Sequence, residues 1–190
     1  CGHDYHFGAR GFGNAERLTE KCRTLGLGCD VIGEVKLDGV TVSSTYLRRL
    51  LKEGRMEEAV RFLGHGHIIS GIVQHGDSRG HTLGLPTANL ALDASLLVPA
   101  FGVYGGWADA GELGRFPAAV NLGVHPTVHE LPHPVAEASL LGFDGDLYGR
   151  FLRLELLFQV RPERQFSSLQ ELTAQIARDQ QTVLHRLTGV

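Results

Sequence analysis

The sequence predicts a mostly-β fold: a small antiparallel barrel or sandwich closed by a C-terminal helix and preceded by a partial α/β segment. Three observations carry that expectation. From about His67 the chain breaks into short alternating or apolar runs, at 67–75, 101–108, 116–122, 135–141 and 151–160, with Gly, Pro or Asp between them. Runs of that length bounded by turn residues read as strands. Ser168 and Glu171 then have the spacing of a capping box, in which two side chains close on the backbone of a helix start. Leu169, Leu172, Ile176, Val183 and Leu187 follow as an apolar stripe, which most simply packs on the barrel.

The first 64 residues have a different texture. Asn14 can cap a helix running to about Leu25, with Gly26 as its left-handed stop. Cys29 to Leu37 reads as a strand and Asp38-Gly39 as a turn. Ser43-Ser44-Thr45 precedes a helix to about Glu53, ended by Gly54, and a second helix over Met56 to Leu63 stops at Gly64. Two domains are therefore expected, over 1–64 and 65–190. The first is too small for a complete nucleotide-binding domain, and a chain that begins at Cys1 without a methionine reads as a piece of a longer one.

Composition narrows the function classes. Among 190 residues, 43% are hydrophobic, enough for a packed core, and the net charge is −3. That balance argues against nucleic acid as a partner, for which a basic patch is expected. No apolar stretch approaches the roughly 20 residues of a membrane span, and no basic-then-apolar leader opens the chain. Cys1, Cys22 and Cys29 lack CxxC spacing and read as reduced thiols of a cytoplasmic protein. His65-Gly66-His67 and the spaced His125, His129 and His133 lack a Cys or carboxylate to complete a ligand set, so these histidines are not expected to hold a metal.

The most informative run is Gly71 to Asn89, GIVQHGDSRGHTLGLPTAN. Its glycines let backbone approach a ligand without a Cβ in the way, and successive exposed N–H groups suit phosphate oxygens. Thr87 and Asn89 add a hydroxyl and an amide carbonyl, hard oxygens of the kind Mg²⁺ accepts. The run is neither a Walker A loop nor a dinucleotide fingerprint. A polar surface turn remains the plain alternative. Glu137 is the other residue of note, a lone glutamate in the apolar run Val135 to Leu141. Alternation puts it on a face with Val135, Ser139 and Leu141, opposite Ala136, Ala138 and Leu140. Such a glutamate either faces solvent or has a task.

The LGLPTAN loop, Gly2 to Gly8 (GHDYHFG), Ser43-Ser44-Thr45 with Arg48, Gly102-Val103-Tyr104, Asn121-Leu122-Gly123 with Pro126-Thr127, Phe143 to Gly149 (FDGDLYG), and Arg161-Pro162-Glu163 with Phe166 to Leu169 occur in this order. Together they resemble the bacterial bifunctional riboflavin kinase/FAD synthetase family over nearly the whole chain. The resemblance implies a Greek-key barrel with a C-terminal helix for the kinase. It also implies a Rossmann-like nucleotidyltransferase, of which 1–64 would be the C-terminal part. The implied activity is transfer of the ATP γ-phosphate to riboflavin, giving FMN, with ATP as co-substrate and Mg²⁺ or another divalent cation as cofactor. A non-catalytic flavin-binding or regulatory module is the alternative.

By the same resemblance Glu137 is the catalytic base, and Thr87 and Asn89 hold the metal. Gly76, Arg79, Gly80, His81 and Gly84, with Thr87 and Asn89, meet ATP phosphates. Asp146, Tyr148, Arg161 and Phe166 face the flavin, although a hairpin turn at Asp144-Gly145-Asp146 and a strand exit at Arg161 explain these segments equally well. Ser44, Thr45 and Arg48 would be phosphate contacts of the nucleotidyltransferase remnant, or else a plain helix cap and a solvated arginine. The HxGH-type motif of that half does not precede residue 43, so this chain alone is not expected to make FAD. Gly142, His81-Thr82 and the His- and Pro-rich stretch from His125 to Pro134 depart from the family pattern. They bear on the shape of the flavin pocket and leave Thr87, Asn89 and Glu137 untouched.

Overall fold

Burial with a period of two organises the second part of the chain. In β10 (Phe151–Pro162), Leu152, Leu154, Leu156 and Phe158 are buried while the residues between them are not. The computed structural model describes residues 1–74, 87–93, 96–125 and 133–189. Within them β10 joins β5 (His67–Gln74), β6 (Ala88–Ala91), β7 (Gly102–Asp109), β8 (Arg115–His125) and β9 (His133–Leu140). The six close into an antiparallel barrel in the order β10-β5-β6-β9-β8-β7. In that order β10 lies beside β7, which with β8 and β9 forms a meander. This is Greek-key connectivity.

Alternate residues of every strand fill the interior, among them Leu90, Ala108, Val120, Ala136 and Leu154. Two glycines of β7 set how closely it meets β10. A Cβ on Gly106 would lie 1.9 Å from the carbonyl oxygen of Glu155, and one on Gly105 would lie 2.3 Å from the Phe158 ring. The β7–β10 register shifts between Leu156 and Phe158, at the same level. Close backbone approach explains glycine in the middle of this strand. Tyr104 fills the interior and donates to the Ala100 carbonyl, while Gln159 Nε2 donates to its oxygen at 3.3 Å. Burial pushes the Tyr104 phenol up to about 12.

Two helices precede the barrel, α2 (Ser44–Lys52) and α3 (Met56–Leu63), the latter ending at left-handed Gly64. Their Leu50, Leu51, Met56 and Ala59 join the same core as Leu154 and Leu156. The chain accordingly divides into compact units at Cys1–Ser44 and Thr45–Val190. The boundary expected at 64 falls at the onset of the strands, and the two preceding helices pack with them.

The front unit contains α1 (Ala15–Thr24), whose cap Asn14 accepts from the Arg17 N–H through Oδ1 at 2.9 Å. Its strands are two-residue ladders, β1 (His6–Phe7) with β2 (Gly13–Asn14) and β3 (Lys36–Leu37) with β4 (Val40–Thr41). Asp38 and Gly39 both take positive φ, 50° and 77°, as a two-residue type I′ hairpin turn requires. The strand expected over Cys29 to Leu37 is not formed. Only its last two residues pair as a strand, and Ile32 makes a single parallel bridge to Gly2. Val31, Ile32 and Val35 are exposed, so no neighbouring surface in this unit draws them into a sheet.

After β10 the chain enters α4 (Leu169–Thr188). Ser168 Oγ accepts from the Glu171 N–H, and the Glu171 carboxylate reaches back to Ser167 N and Oγ at 3.0 and 2.9 Å. Those two bonds hold the Glu171 carboxyl below its usual range. Val183 packs with Ala119 and Phe158, with Leu187 alongside. Leu169, counted into the stripe from sequence, is 61% exposed. The stripe instead includes a charge: Asp179, 3% exposed, accepts from Arg161 Nε on β10 at 2.9 Å and from Gln175 Nε2 at 2.7 Å. Breaking a largely buried ion pair from one side leaves the other charge without compensation. Asp179→Ala is therefore expected to destabilise the fold by about 3 kcal/mol, measured by chemical denaturation, whereas substituting the exposed Arg164–Glu171 pair should change stability by under about 1 kcal/mol.

Candidate active site

β6 lies between β5 and β9, and β9 between β6 and β8. Asn89 of β6 is directly opposite Glu137 of β9, and Glu137 is directly opposite Asn121 of β8. On the far side of β6, Gln74 of β5 is opposite Asn89. Directly opposed residues of antiparallel strands share a face, with Cβ atoms about 4.5–5.5 Å apart. The flanking Ala88, Leu90, Ala136, Ala138, Val120 and Leu122 are all buried in the interior. The polar row Gln74, Asn89, Glu137, Asn121 therefore runs across the outer surface of four consecutive strands.

Thr87 and Asn89 are both half-buried, Thr87 immediately before β6 and Asn89 its second residue, a spacing that puts both on one face of an extended chain. Asn89 Nδ2 donates to the Thr87 carbonyl at 3.4 Å, which turns its amide oxygen away from that carbonyl. A hydroxyl and an amide oxygen on one face make a donor set suited to Mg²⁺, which takes few protein oxygens and keeps waters and phosphate oxygens for the rest. Asn89 and Glu137 are thus neighbours across a strand pair, and Thr87 is the next residue along their face. Gly76, Arg79, Gly80, His81 and Gly84 lie outside the described residues, as do Pro126, Thr127 and His129.

The remaining expected contacts lie to either side. The row passes from Asn121 to Val103 of β7 and from Val103 to Arg161 of β10, so Arg161 stands three strands round the barrel from Glu137. Its guanidinium is committed to Asp179 through Nε and to the Pro162 carbonyl through Nη1, and it lies 5.3 Å from the Phe166 ring centre. Arg164 stacks on the same ring at 4.5 Å. On the other side, the Gly149 N–H donates to the Val73 carbonyl, which brings the end of the 143–149 loop to β5. Asp146 Oδ1 accepts from the Tyr148 N–H at 2.8 Å, and Phe143 meets Phe116 edge-on. Ser44, Thr45 and Arg48 are exposed on the first turns of α2.

Asn121 belongs to one of the quoted motifs, but its sequence neighbours give it no role. The signal is strand register, which pairs it with Glu137. Within the front unit, Phe7, Arg10, Phe12 and Arg17 line an open, largely apolar concavity of about 570 Å³, with the Arg17 guanidinium 3.8 Å from the Phe12 ring centre.

The chain belongs to the riboflavin kinase family: the family model for riboflavin kinase matches residues 63–187. It is 35% identical over its whole length to the bifunctional riboflavin kinase/FMN adenylyltransferase of Bacillus subtilis, of which it covers 60%. It is 38% identical over 95% of its length to the enzyme of that name from Escherichia coli K12, of which it covers 57%. The chain thus spans under two thirds of these relatives. A solved chain described as a macrolide-efflux protein from Streptococcus pneumoniae superimposes with a TM-score of 0.80 at 28% identity, covering 96% of this chain and 58% of that one. No helix among the described residues is long and apolar enough to cross a membrane.

The histidine pair before β5 is engaged within the fold. His67 Nε2 donates to the Leu97 carbonyl at 3.1 Å, and His65 Nδ1 lies 2.7 Å from the Gly66 carbonyl. Burial lowers the affinity of His67 for a proton, which the Leu97 bond only partly offsets. An unfolded chain then binds the proton more readily than the folded one, so stability present above pH 6.5 falls as pH drops below that value. The denaturation midpoint between pH 7 and 5 should fall less steeply in His67→Gln than in the parent chain.

Proposed function

We propose that this chain phosphorylates riboflavin, moving the γ-phosphoryl group of ATP to the terminal ribityl hydroxyl to give FMN and ADP. The observation that carries the reading is the shared outer face of β6 and β9, where Thr87 and Asn89 stand beside Glu137 in a chain of the riboflavin kinase family.

Phosphoryl transfer asks for alignment, charge neutralisation and a group to orient the nucleophile. Thr87 Oγ1 and Asn89 Oδ1 would hold Mg²⁺, which supplies charge neutralisation for the phosphates when bound. A primary alcohol does not ionise near neutral pH, so a carboxylate within hydrogen-bond reach takes its proton as the new bond forms. Glu137 has that task. The ribityl oxygen attacks Pγ, the bond from Pγ to the β,γ-bridging oxygen breaks, ADP leaves with the electron pair, and the proton passes to Glu137. The glycine-rich run from Gly76 to Gly84 with Arg79 and His81 would receive the ATP phosphates. Arg161 and Phe166 on one side, Asp146 and Tyr148 on the other, would bound the flavin.

The front residues would be the closing part of a Rossmann-like nucleotidyltransferase domain, with Ser44, Thr45 and Arg48 as phosphate contacts. The parallel bridge from Gly2 to Ile32 across α1 supports this reading, because a parallel pair joined through a helix is the βαβ connection of such sheets. FMN adenylylation, named for the longer relatives, would need the rest of that domain, and the protein would work in the cytoplasm.

The purified chain incubated with riboflavin, ATP and Mg²⁺ should yield FMN without FAD, read by separating the flavins. Flavin binding without FMN would leave a binding module in place of a kinase. Glu137→Gln should reduce kcat by 10²-fold or more, roughly the contribution of a positioned base, with nucleotide binding retained; full turnover in this variant would remove the base assignment. Thr87→Ala and Asn89→Ala should each shift the Mg²⁺ activation curve to higher concentration, and an unmoved curve would count against the metal role.

A further inference from the structure

Glu137 has an amide on each side. Asn89 flanks it on β6 and Asn121 on β8, each directly opposite. The two asparagines differ in their commitments. Asn89 Nδ2 points back to the Thr87 carbonyl, which leaves its oxygen as the functional end. Among the described residues Asn121 has no such tie to its own strand, and it is exposed on the outer face. Its Nδ2 lies 3.9 Å from the point where a Cβ on Gly123 would stand, and Glu163 Oε1 lies 3.7 Å from the same point. Gly123, without a side chain, keeps that space clear, and Glu163 at the exit of β10 borders it.

We infer that Asn121 is a positioning residue for the kinase reaction: its amide N–H group donates to the Glu137 carboxylate and fixes which oxygen faces the ribityl hydroxyl. The inference rests on Glu137 being the base. A carboxylate on a strand surface can rotate about its terminal bonds, and proton transfer needs one oxygen within about 3 Å of the hydroxyl. A donor held by register on the adjacent strand selects one orientation of the carboxylate. Asn suits the role because its NH₂ has two donors: one for Glu137, and a second aimed toward the space that Glu163 borders. Aspartate has the same shape and no donor.

The test uses the whole chain in a double-mutant cycle with Asn121→Ala, Asn121→Asp and Glu137→Gln. Asn121→Ala and Asn121→Asp should each lower kcat by roughly 10- to 100-fold, the scale of a misplaced catalytic group. KM for riboflavin and for ATP should stay within about threefold of the parent, and the thermal midpoint should be unchanged. In the Glu137→Gln background, with residual turnover measured at high enzyme concentration, Asn121→Ala should have no further effect, because coupled residues are non-additive. A kcat within twofold of the parent in Asn121→Ala overturns the inference, while an inactive Glu137→Gln in the same assay keeps the kinase reading intact. Additive losses also overturn it, since Asn121 would then act on the substrate and not through Glu137. A fully active Glu137→Gln removes the base assignment and this inference together.

Discussion

Everything in the site follows from the register of one strand. β9 is paired on both sides, so a slip by a single residue would turn Ala136 and Ala138 outward and Glu137 into the interior. Burying an uncompensated carboxylate there would cost several kcal/mol. The apolar core and the polar row are therefore one specification: the small alanines that fill the barrel also hold Glu137 beside Asn89 and Asn121. Small residues suit a six-stranded barrel, whose interior is narrow, and they bring the walls close enough for Leu90, Leu122 and Leu154 to fill it.

The same economy governs the other end of the site. Arg161 is bonded to Asp179 and lies over Phe166, tying β10, α4 and the intervening segment to one guanidinium. A buried ion pair contributes little net stability and much geometric definition. Here it fixes the middle of α4 against the end of β10. Ser168 and Glu171 then settle the first turn of α4 without any help from the barrel.

Five strand runs, both α2 and α3, and the start of α4 were legible because local rules decide them: alternation, glycine stops and a capping box. β6 was not. Ala88–Ala91 is only four residues long, and its strand character comes from being held between β5 and β9. The Cys29–Leu37 run failed for the opposite reason, having strand-like residues but almost no partner. Asp179 escaped notice because an acidic residue on an apolar helix stripe is explained only by an arginine eighteen residues earlier in the chain. Glu137, Thr87 and Asn89 were legible as residue types in their motifs, and alternation gave the residues that share a face with Glu137; that this face is the outer one comes from the burial of its neighbours. Their adjacency, and that of Asn121, depends on pairing between strands distant in sequence.

The chain order of the barrel also dictates when the site can exist. β8 and β9 are consecutive, so Glu137 and Asn121 meet in a hairpin, a local event. β6 reaches β9 only after the chain has passed through β7 and β8, and β10 must arrive between β7 and β5 to complete the ring. Contacts that close long loops form late, because chain entropy opposes them until other contacts are in place. Thr87 and Asn89 consequently join Glu137 near the end of folding. During synthesis, no nascent chain shorter than the one that includes β10 can hold a closed ring, and until then β5 and β7 present unpaired edges that could pair with other chains.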